Sequence, residues 1–308
     1  MHSPHPFISD DAIARAIAGH WPAETSEIAE VVYVPWGFGA HHWRVAGGGT
    51  ALFVTLDELG PRHTAESLEA AYAGAAALAA GGLEVVCAPL PHRAGRYTVE
   101  AAGGALSVTP WLEGRTPTEA EACEPGHVRG VVAALAALHE AEPPGGLRDW
   151  APRVAPSFAD ALRARTAWPW TSGPLGEEAR AALAARGEEI GRWTARYHEL
   201  ADSALAGREG WVPTHGEPHY ANQVVGAFGL RLVDWESLVL APRERDYGDL
   251  LAAGARLRHD PAMVELFALD WRLSEIAEYA RWFASPHTGS EDDRTALEGL
   301  FEELSASE

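Results

Sequence analysis

The 308-residue chain is long enough for one large domain or two lobes. Its apolar and charged fractions, 47% and 22%, are those of a globular protein and exclude a disordered chain. Its formal net charge is −20 and it contains no lysine, which disfavours nucleic acid and anionic membrane as partners and favours cationic ones.

Cys87 and Cys123 are too few and too far apart for a disulfide framework or a zinc site. The first twenty residues lack the basic start and apolar core of a signal peptide, and no apolar run approaches membrane-spanning length. A soluble cytoplasmic protein is expected.

A short helix is predicted over Asp10 to His20, with Ser9 or Asp10 as N-cap. The segment from Glu27 to Leu59 reads as strand, glycine turn, strand, tight "GGGT" hairpin, strand, because β-branched and aromatic runs alternate with glycines. "TAESLEAAYAGAAALAAGG" is a helix with a glycine stop. "EVVCAPLP" and "YTVEAAGGALSVTPWL" supply two or three more strands, the latter pair joined at "AAGGA". Beyond "WLEGRTPTE" the pattern turns helical: "GHVRGVVAALAALHEAE", "SFADALRARTAW" and the long run from Gly176 to Gly207. A polar stretch, an apolar "LRLVDW", a proline turn and further helices complete the chain. These elements describe an α+β protein, with a β-rich N-terminal lobe over 1–110 carrying one inserted helix and a helical C-terminal lobe over 111–308.

The polar stretch is "HGEPHYAN", residues 215–222. Phosphoryl transfer needs a phosphate cradle, metal ligands and a base near the attacking hydroxyl. A loop acid at Glu217, an amide at Asn222 and a second acid at Asp234 supply the last two, since Mg²⁺ prefers oxygen ligands. Two short strands around Gly226 to Gly229 would bring Asn222 and Asp234 side by side.

Here the sequence resembles the aminoglycoside phosphotransferases and their small-molecule kinase relatives, which share the protein-kinase-like two-lobed fold. "THGEPHYANQVV" resembles their "HGDxxxxN" loop, and "LVDWESLVLAPRERDYGDL" their "hhDWxxxxxGPxxxDLA" segment, with "LAPRERD" most similar to the spectinomycin phosphotransferase branch. "TPWLEG" resembles the hinge between lobes, which implies nucleotide contacts from Trp111 and Leu112. The resemblance further implies Glu217 as base, Asn222 and Asp234 as Mg²⁺ ligands, and Gly37, Gly39 and Thr55 near the nucleotide, which is ATP or GTP. Two positions depart from the family. Glu217 stands where Asp is usual, and Thr55 stands where a strand lysine holds the phosphates. That charge would then fall to backbone N–H groups near Gly37 and Gly39, to His41, His42, Arg44 or Arg62, or to a second Mg²⁺.

Each residue also has a plainer reading. "WGFGAHH" is a hairpin turn or a phosphate cradle. His215 holds the loop through backbone bonds, His219 is near substrate or merely exposed, and Asp246 caps a helix or pairs with arginine. Glu66 and Glu69 lack a lysine partner, so at least one lies on a solvated face; Trp168, Trp170 and Trp271 are core or wall a substrate pocket. The acidic C-terminal segment is an amphipathic helix and tail. The expected activity is phosphorylation of a hydroxyl on a small, cationic molecule, such as an aminoglycoside, aminocyclitol or basic peptide antibiotic. The alternatives are a metabolic small-molecule kinase of the same fold and a catalytically dead, nucleotide- or drug-binding relative.

Overall fold

A computed structural model describes residues 1, 4–5, 7–22, 28–37, 39–60 and 62–305. Of the sequence expectations, Glu27, Phe38 and the tail 306–308 lie outside the described residues. The chain divides into two compact units, Met1–Trp150 with Trp211–Leu257, and Ala151–Gly210 with Arg258–Glu308.

In the first unit the described residues form an antiparallel five-stranded sheet: β1 (Glu30–Val34), β2 (Ala40–Gly47), β3 (Thr50–Glu58), β4 (Val99–Ala101) and β5 (Gly104–Pro110), in the order β1-β2-β3-β5-β4. Two tight hairpins set its register. Gly47 pairs with Thr50 across Gly48 (φ +57°) and Gly49 (φ +82°), and Ala101 pairs with Gly104 across Ala102 (φ +48°) and Gly103 (φ +81°). Two successive left-handed residues match the twist of the flanking strands. Strand alternation then sorts β3. Leu52, Val54 and Leu56 join Trp43 and Val45 of β2 in a core with Ile13 and Ile17 of α1 (Asp10–His20), which is capped by Ser9. Phe53, Thr55 and Asp57 fall on the opposite face, where Asp57 meets Tyr72 of α2 (Ala65–Ala80).

Helix α2 starts at a capping box between Thr64 and Ser67. Its alanine-rich face packs with Val85, Leu232, Trp235 and Leu238, and a side chain on Gly74 would come within 3.2 Å of Leu147 and Leu238. "EVVCAPLP" is not a strand: Val86 makes one isolated parallel bridge to Leu232, and Pro89 and Pro91 lack the N–H groups a ladder needs. The unit also holds β6 (Gly114–Arg115), α3 (Glu119–Ala122), α4 (Pro125–Glu140), β7 (Val212–Thr214), β8 (Gln223–Gly226), β9 (Gly229–Leu232), β10 (Val239–Ala241) and α8 (Gly248–Ala252). Strands β6, β8 and β9 form one small sheet, and β7 pairs with β10.

The second unit is helical: α5 (Phe158–Thr166), α6 (Gly176–Ala185), α7 (Gly187–Ala206), α9 (Pro261–Ala284) and α10 (Glu291–Ser305). The single helical run read over 176–207 is broken at Arg186, where the backbone leaves helical angles (φ −103°, ψ 9°). Ile190, Trp193, Tyr197 and Leu200 form the buried stripe of α7, and the Tyr197 hydroxyl donates to Asp270 on α9 while accepting the Arg153 N–H at 3.0 Å. Trp170 is core, Trp168 is exposed, and Trp271 donates its indole N–H to Glu303 at 3.0 Å. Among the described residues no helix is long and apolar enough to cross a membrane.

Candidate active site

Residues 215–222 form a loop between β7 and β8, and buried groups hold it from several directions. Asp246, fully enclosed, accepts the backbone N–H groups of His215 at 3.1 Å and Gly216 at 2.6 Å, and the His139 Nε2–H at 2.8 Å. Burial alone would raise this carboxyl; the His139 bond and the neighbouring charges of His139 and Arg245 outweigh it and hold it below the ordinary value. The plain reading of Asp246 as a cap or arginine partner thus understates it, because it anchors the loop. Arg245, also buried, donates to Thr214 Oγ1 at 3.0 Å and to Ser237 O at 2.9 Å. Gly216 has φ +94°, and a Cβ there would lie 2.2 Å from the Arg245 guanidinium, so glycine is required on both counts.

His215 donates from Nε2 to Val233 O at 2.9 Å and accepts the Glu217 N–H at Nδ1, 3.3 Å. Both ring nitrogens are thereby used by a neutral imidazole, and burial lowers its pKa. The far end of the loop is tied by Gln223, which donates to Pro218 O at 2.7 Å and accepts from His127 at 2.5 Å.

Glu217, Asn222 and Asp234 come together on this frame. Asn222 Nδ2 donates to Glu217 O at 3.0 Å, which leaves Oδ1 as the oxygen the amide can offer a cation. Pairing of Gln223 with Leu232, and a bond from Val233 N to Asn222 O at 3.0 Å, set Asn222 beside the start of Asp234. Asp234 has φ +68°, a left-handed conformation uncommon outside glycine. Glu217 Oε1 accepts from Ser237 Oγ at 3.0 Å and from Arg62 Nη2 at 2.6 Å. His219 is half-buried, its Nε2 3.5 Å from Asn222 Nδ2.

Two acids that the sequence did not mark, or marked only as motif filler, adjoin this trio. Asp57 on β3 is 6% exposed and accepts the Tyr72 hydroxyl at 2.9 Å. Burial, then the charge of Asp234, push its carboxyl up to about 7 against the opposing Tyr72 bond. Glu236 is raised well above the ordinary value by burial, then by Asp234, Glu217 and Asp57, and its Oε2 is buried without a hydrogen-bond partner. Asp234 itself is open to solvent, yet desolvation by the protein around it raises its carboxyl too, with Glu217 adding and Glu236, His215 and His219 opposing. Crowded carboxylates with one orphaned oxygen fit a divalent cation, which would relieve their mutual repulsion. Among the described residues no three of His, Cys, Asp and Glu are arranged to enclose a metal. That donor set suits Mg²⁺, which keeps waters and uses one or two protein oxygens together with substrate phosphates.

Around the nucleotide positions read from the sequence, Gly37 (φ +70°) and Gly39 (φ +91°) make an exposed turn between β1 and β2. Thr55 is buried, its Oγ1 3.2 Å from His42 Nδ1. Burial, then the amino terminus and His41, lower His42 to about 3. Trp111 and Leu112 are half-buried where the chain leaves β5. Trp111 stacks with Trp36 (5.8 Å between centroids), which stacks with Phe53 (6.3 Å), which in turn lies against His42 (4.9 Å). Phe53 was not marked by the sequence, and Trp36 only as the first residue of "WGFGAHH". Glu69 is spent on the start of β4, accepting the backbone N–H groups of Tyr97 at 3.0 Å and Thr98 at 3.1 Å, while Glu66 is exposed.

A family model described as the phosphotransferase enzyme family matches residues 30–282. Protein StrN of Streptomyces griseus is 32% identical over 240 residues, covering 75% of this chain and 75% of that protein. Two solved structures share the fold. A spectinomycin phosphotransferase, APH(9)-Ia, in complex with ADP and spectinomycin superposes with a TM-score of 0.70 at 15% identity, covering 98% of this chain and 96% of that one. A microcompartment-associated aminopropanol kinase gives 0.59 at 15% identity over 96% and 95% of the two chains.

Proposed function

The chain belongs to the phosphotransferase enzyme family, and on that premise we propose that it moves the terminal phosphoryl group of ATP or GTP onto a hydroxyl of a small, cationic molecule. The observation that carries this reading is the convergence of Glu217 and Asn222, on one braced loop, with Asp234 just past β9. Residues 1–110 serve as the nucleotide lobe, and residues 111–308 supply the catalytic loop, metal ligands and acceptor site.

Glu217 takes the proton of the acceptor hydroxyl as its oxygen bonds to the terminal phosphorus. The bond from that phosphorus to the bridging oxygen breaks, and the nucleoside diphosphate leaves. Asn222 and Asp234 would hold Mg²⁺, which would neutralise phosphate charge. The aromatic stack of Trp36, Phe53 and Trp111 supports a planar base near the hinge. The turn at Gly37 and Gly39 lies beside it, with backbone N–H groups to offer phosphate. The net charge of −20 supports a cationic acceptor, of the aminoglycoside, aminocyclitol or basic-peptide class, and a role in antibiotic resistance.

Thr55 favours a second reading, an inert nucleotide- or drug-binder, because it leaves the phosphates without their strand cation. One experiment separates the readings. The purified chain is incubated with Mg²⁺, ATP or GTP and a panel of cationic antibiotics and amino alcohols, and products are sought by mass spectrometry. An antibiotic gaining one phosphoryl group supports the proposal; amino alcohols alone gaining it favour a metabolic kinase. Nucleotide binding without any phosphorylated product favours the inert reading.

A further inference from the structure

The absence of a strand lysine leaves the incoming phosphate charge to some other cation. Arg44 is turned to Glu30 at 3.3 Å, and its guanidinium lies 5.3 Å from the centre of Trp111. Arg231 lies over Phe228 and donates to the carbonyls of Phe228 and Leu230. Arg62 differs from both. From the segment joining β3 to α2 it reaches across 155 positions of sequence and donates to Glu217 Oε1 at 2.6 Å, among the carboxylates where Mg²⁺-bound phosphates would arrive.

We propose that Arg62 is the phosphate-binding cation of this enzyme: it rests on Glu217 until a nucleoside triphosphate binds, then exchanges onto the terminal phosphate and frees Glu217 for the acceptor hydroxyl. This inference rests on the phosphotransferase reading above. The exchange is favourable in direction, because a guanidinium pairs bidentately with phosphate and a triphosphate carries more negative charge than one carboxylate. Glu217 is not stranded by it, since Ser237 Oγ already donates to the same oxygen. Arg62 keeps 26% of its side-chain surface exposed, and Gly60 N–H donates to His63 O in the segment before α2.

The two departures from the family motif then answer one another. Loss of the strand lysine at Thr55 moves the cation to Arg62, and the extra methylene of Glu217 over Asp lets the acid reach it. The resting pair also blocks Glu217 from an acceptor that arrives first, so nucleotide binding comes before productive acceptor binding.

The test is a double-mutant cycle in the full chain, read by titration calorimetry with Mg²⁺. The probes are the imido analogue of ATP or GTP, whichever the wild type binds, the matching diphosphate, and the nucleoside. Arg62→Gln is expected to weaken analogue binding about 10- to 100-fold, the size of a lost charge-assisted bond, with a smaller loss for the diphosphate and none for the nucleoside. Arg62→Lys should recover part of the loss. Glu217→Gln should strengthen analogue binding when Arg62 is present and lose most of that gain when it is absent. Wild-type affinities in Arg62→Gln, or an equal gain from Glu217→Gln in both backgrounds, would overturn the exchange and leave simple charge repulsion. Should Arg62→Gln fail to fold, Arg62→Met, which also removes the charge, takes its place in the cycle under the same criteria. A wild type that binds none of the probes would instead bring down the phosphotransferase reading, and this inference with it.

Discussion

Replacing Asp57 by asparagine separates the charge of a buried acid from its shape. Asparagine keeps nearly the same volume and an oxygen to accept the Tyr72 hydroxyl, but it cannot ionise. In the folded wild type the Asp57 carboxyl is pushed up to about 7, first by burial and then by Asp234, against an ordinary value of 3.8. Between those two values the folded chain holds a proton that the unfolded chain has released. Stability therefore falls as pH rises through this window, and the contribution is fully lost once pH passes the folded value. The whole gap corresponds to at most about 4 kcal/mol. Urea unfolding without divalent cations should show wild type and Asp57→Asn similar near about pH 3, below both values, with the variant gaining by up to that amount at about pH 8. Mg²⁺ should narrow the difference at high pH, because a cation among Asp57, Asp234 and Glu236 offsets the same repulsion. Parallel stability profiles from acid to alkaline pH would refute the reasoning, and with it the claim that these acids are electrostatically coupled.

Gly216→Ala should destabilise the chain by about 2–4 kcal/mol in chemical unfolding, since its Cβ meets the Arg245 guanidinium and its φ is +94°. Thr55→Val should cost about 1 kcal/mol of stability, for the lost His42 contact, and leave the KM for nucleotide nearly unchanged, because the hydroxyl is engaged with His42. Glu217→Gln should lower kcat about 100-fold or more in steady-state assays at saturating acceptor, as expected when a general base is removed, with the KM for acceptor little altered.

Much of this was legible in local sequence signals. The "GGGT" and "AAGGA" stretches became hairpins with two left-handed residues each, and Ser9 and Thr64 cap the helices they precede. "HGEPHYAN" stood out because a polar run sits between apolar strands, and pairing of β8 with β9 brought Asn222 to Asp234 as that pattern implied. Apolar content misled at "EVVCAPLP", where two prolines remove ladder donors. It was silent at Arg186, where helical periodicity continues through a break in the backbone. The remaining omissions are long-range contacts. Asp57 reads as the polar end of an apolar strand, and only its meeting with Tyr72 and Asp234 makes it part of the site. Arg62 was one candidate among several cations, and nothing in the residues near it points to a carboxylate 155 positions away. Asp246 looked like a helix cap or an arginine partner, whereas its hydrogen bonds come from the catalytic loop and from α4.

The most direct measurement follows a nucleoside triphosphate labelled on its terminal phosphate, under single-turnover conditions with Mg²⁺ and an acceptor found by the product screen. Wild type and Asp234→Ala are compared after both are shown to be folded by their unfolding transitions. The expected result is transfer of label from nucleotide to acceptor by the wild type and none by Asp234→Ala, with weakened Mg²⁺-nucleotide binding in the variant. Equal transfer by the two proteins would contradict the assignment of phosphoryl transfer to Glu217, Asn222 and Asp234.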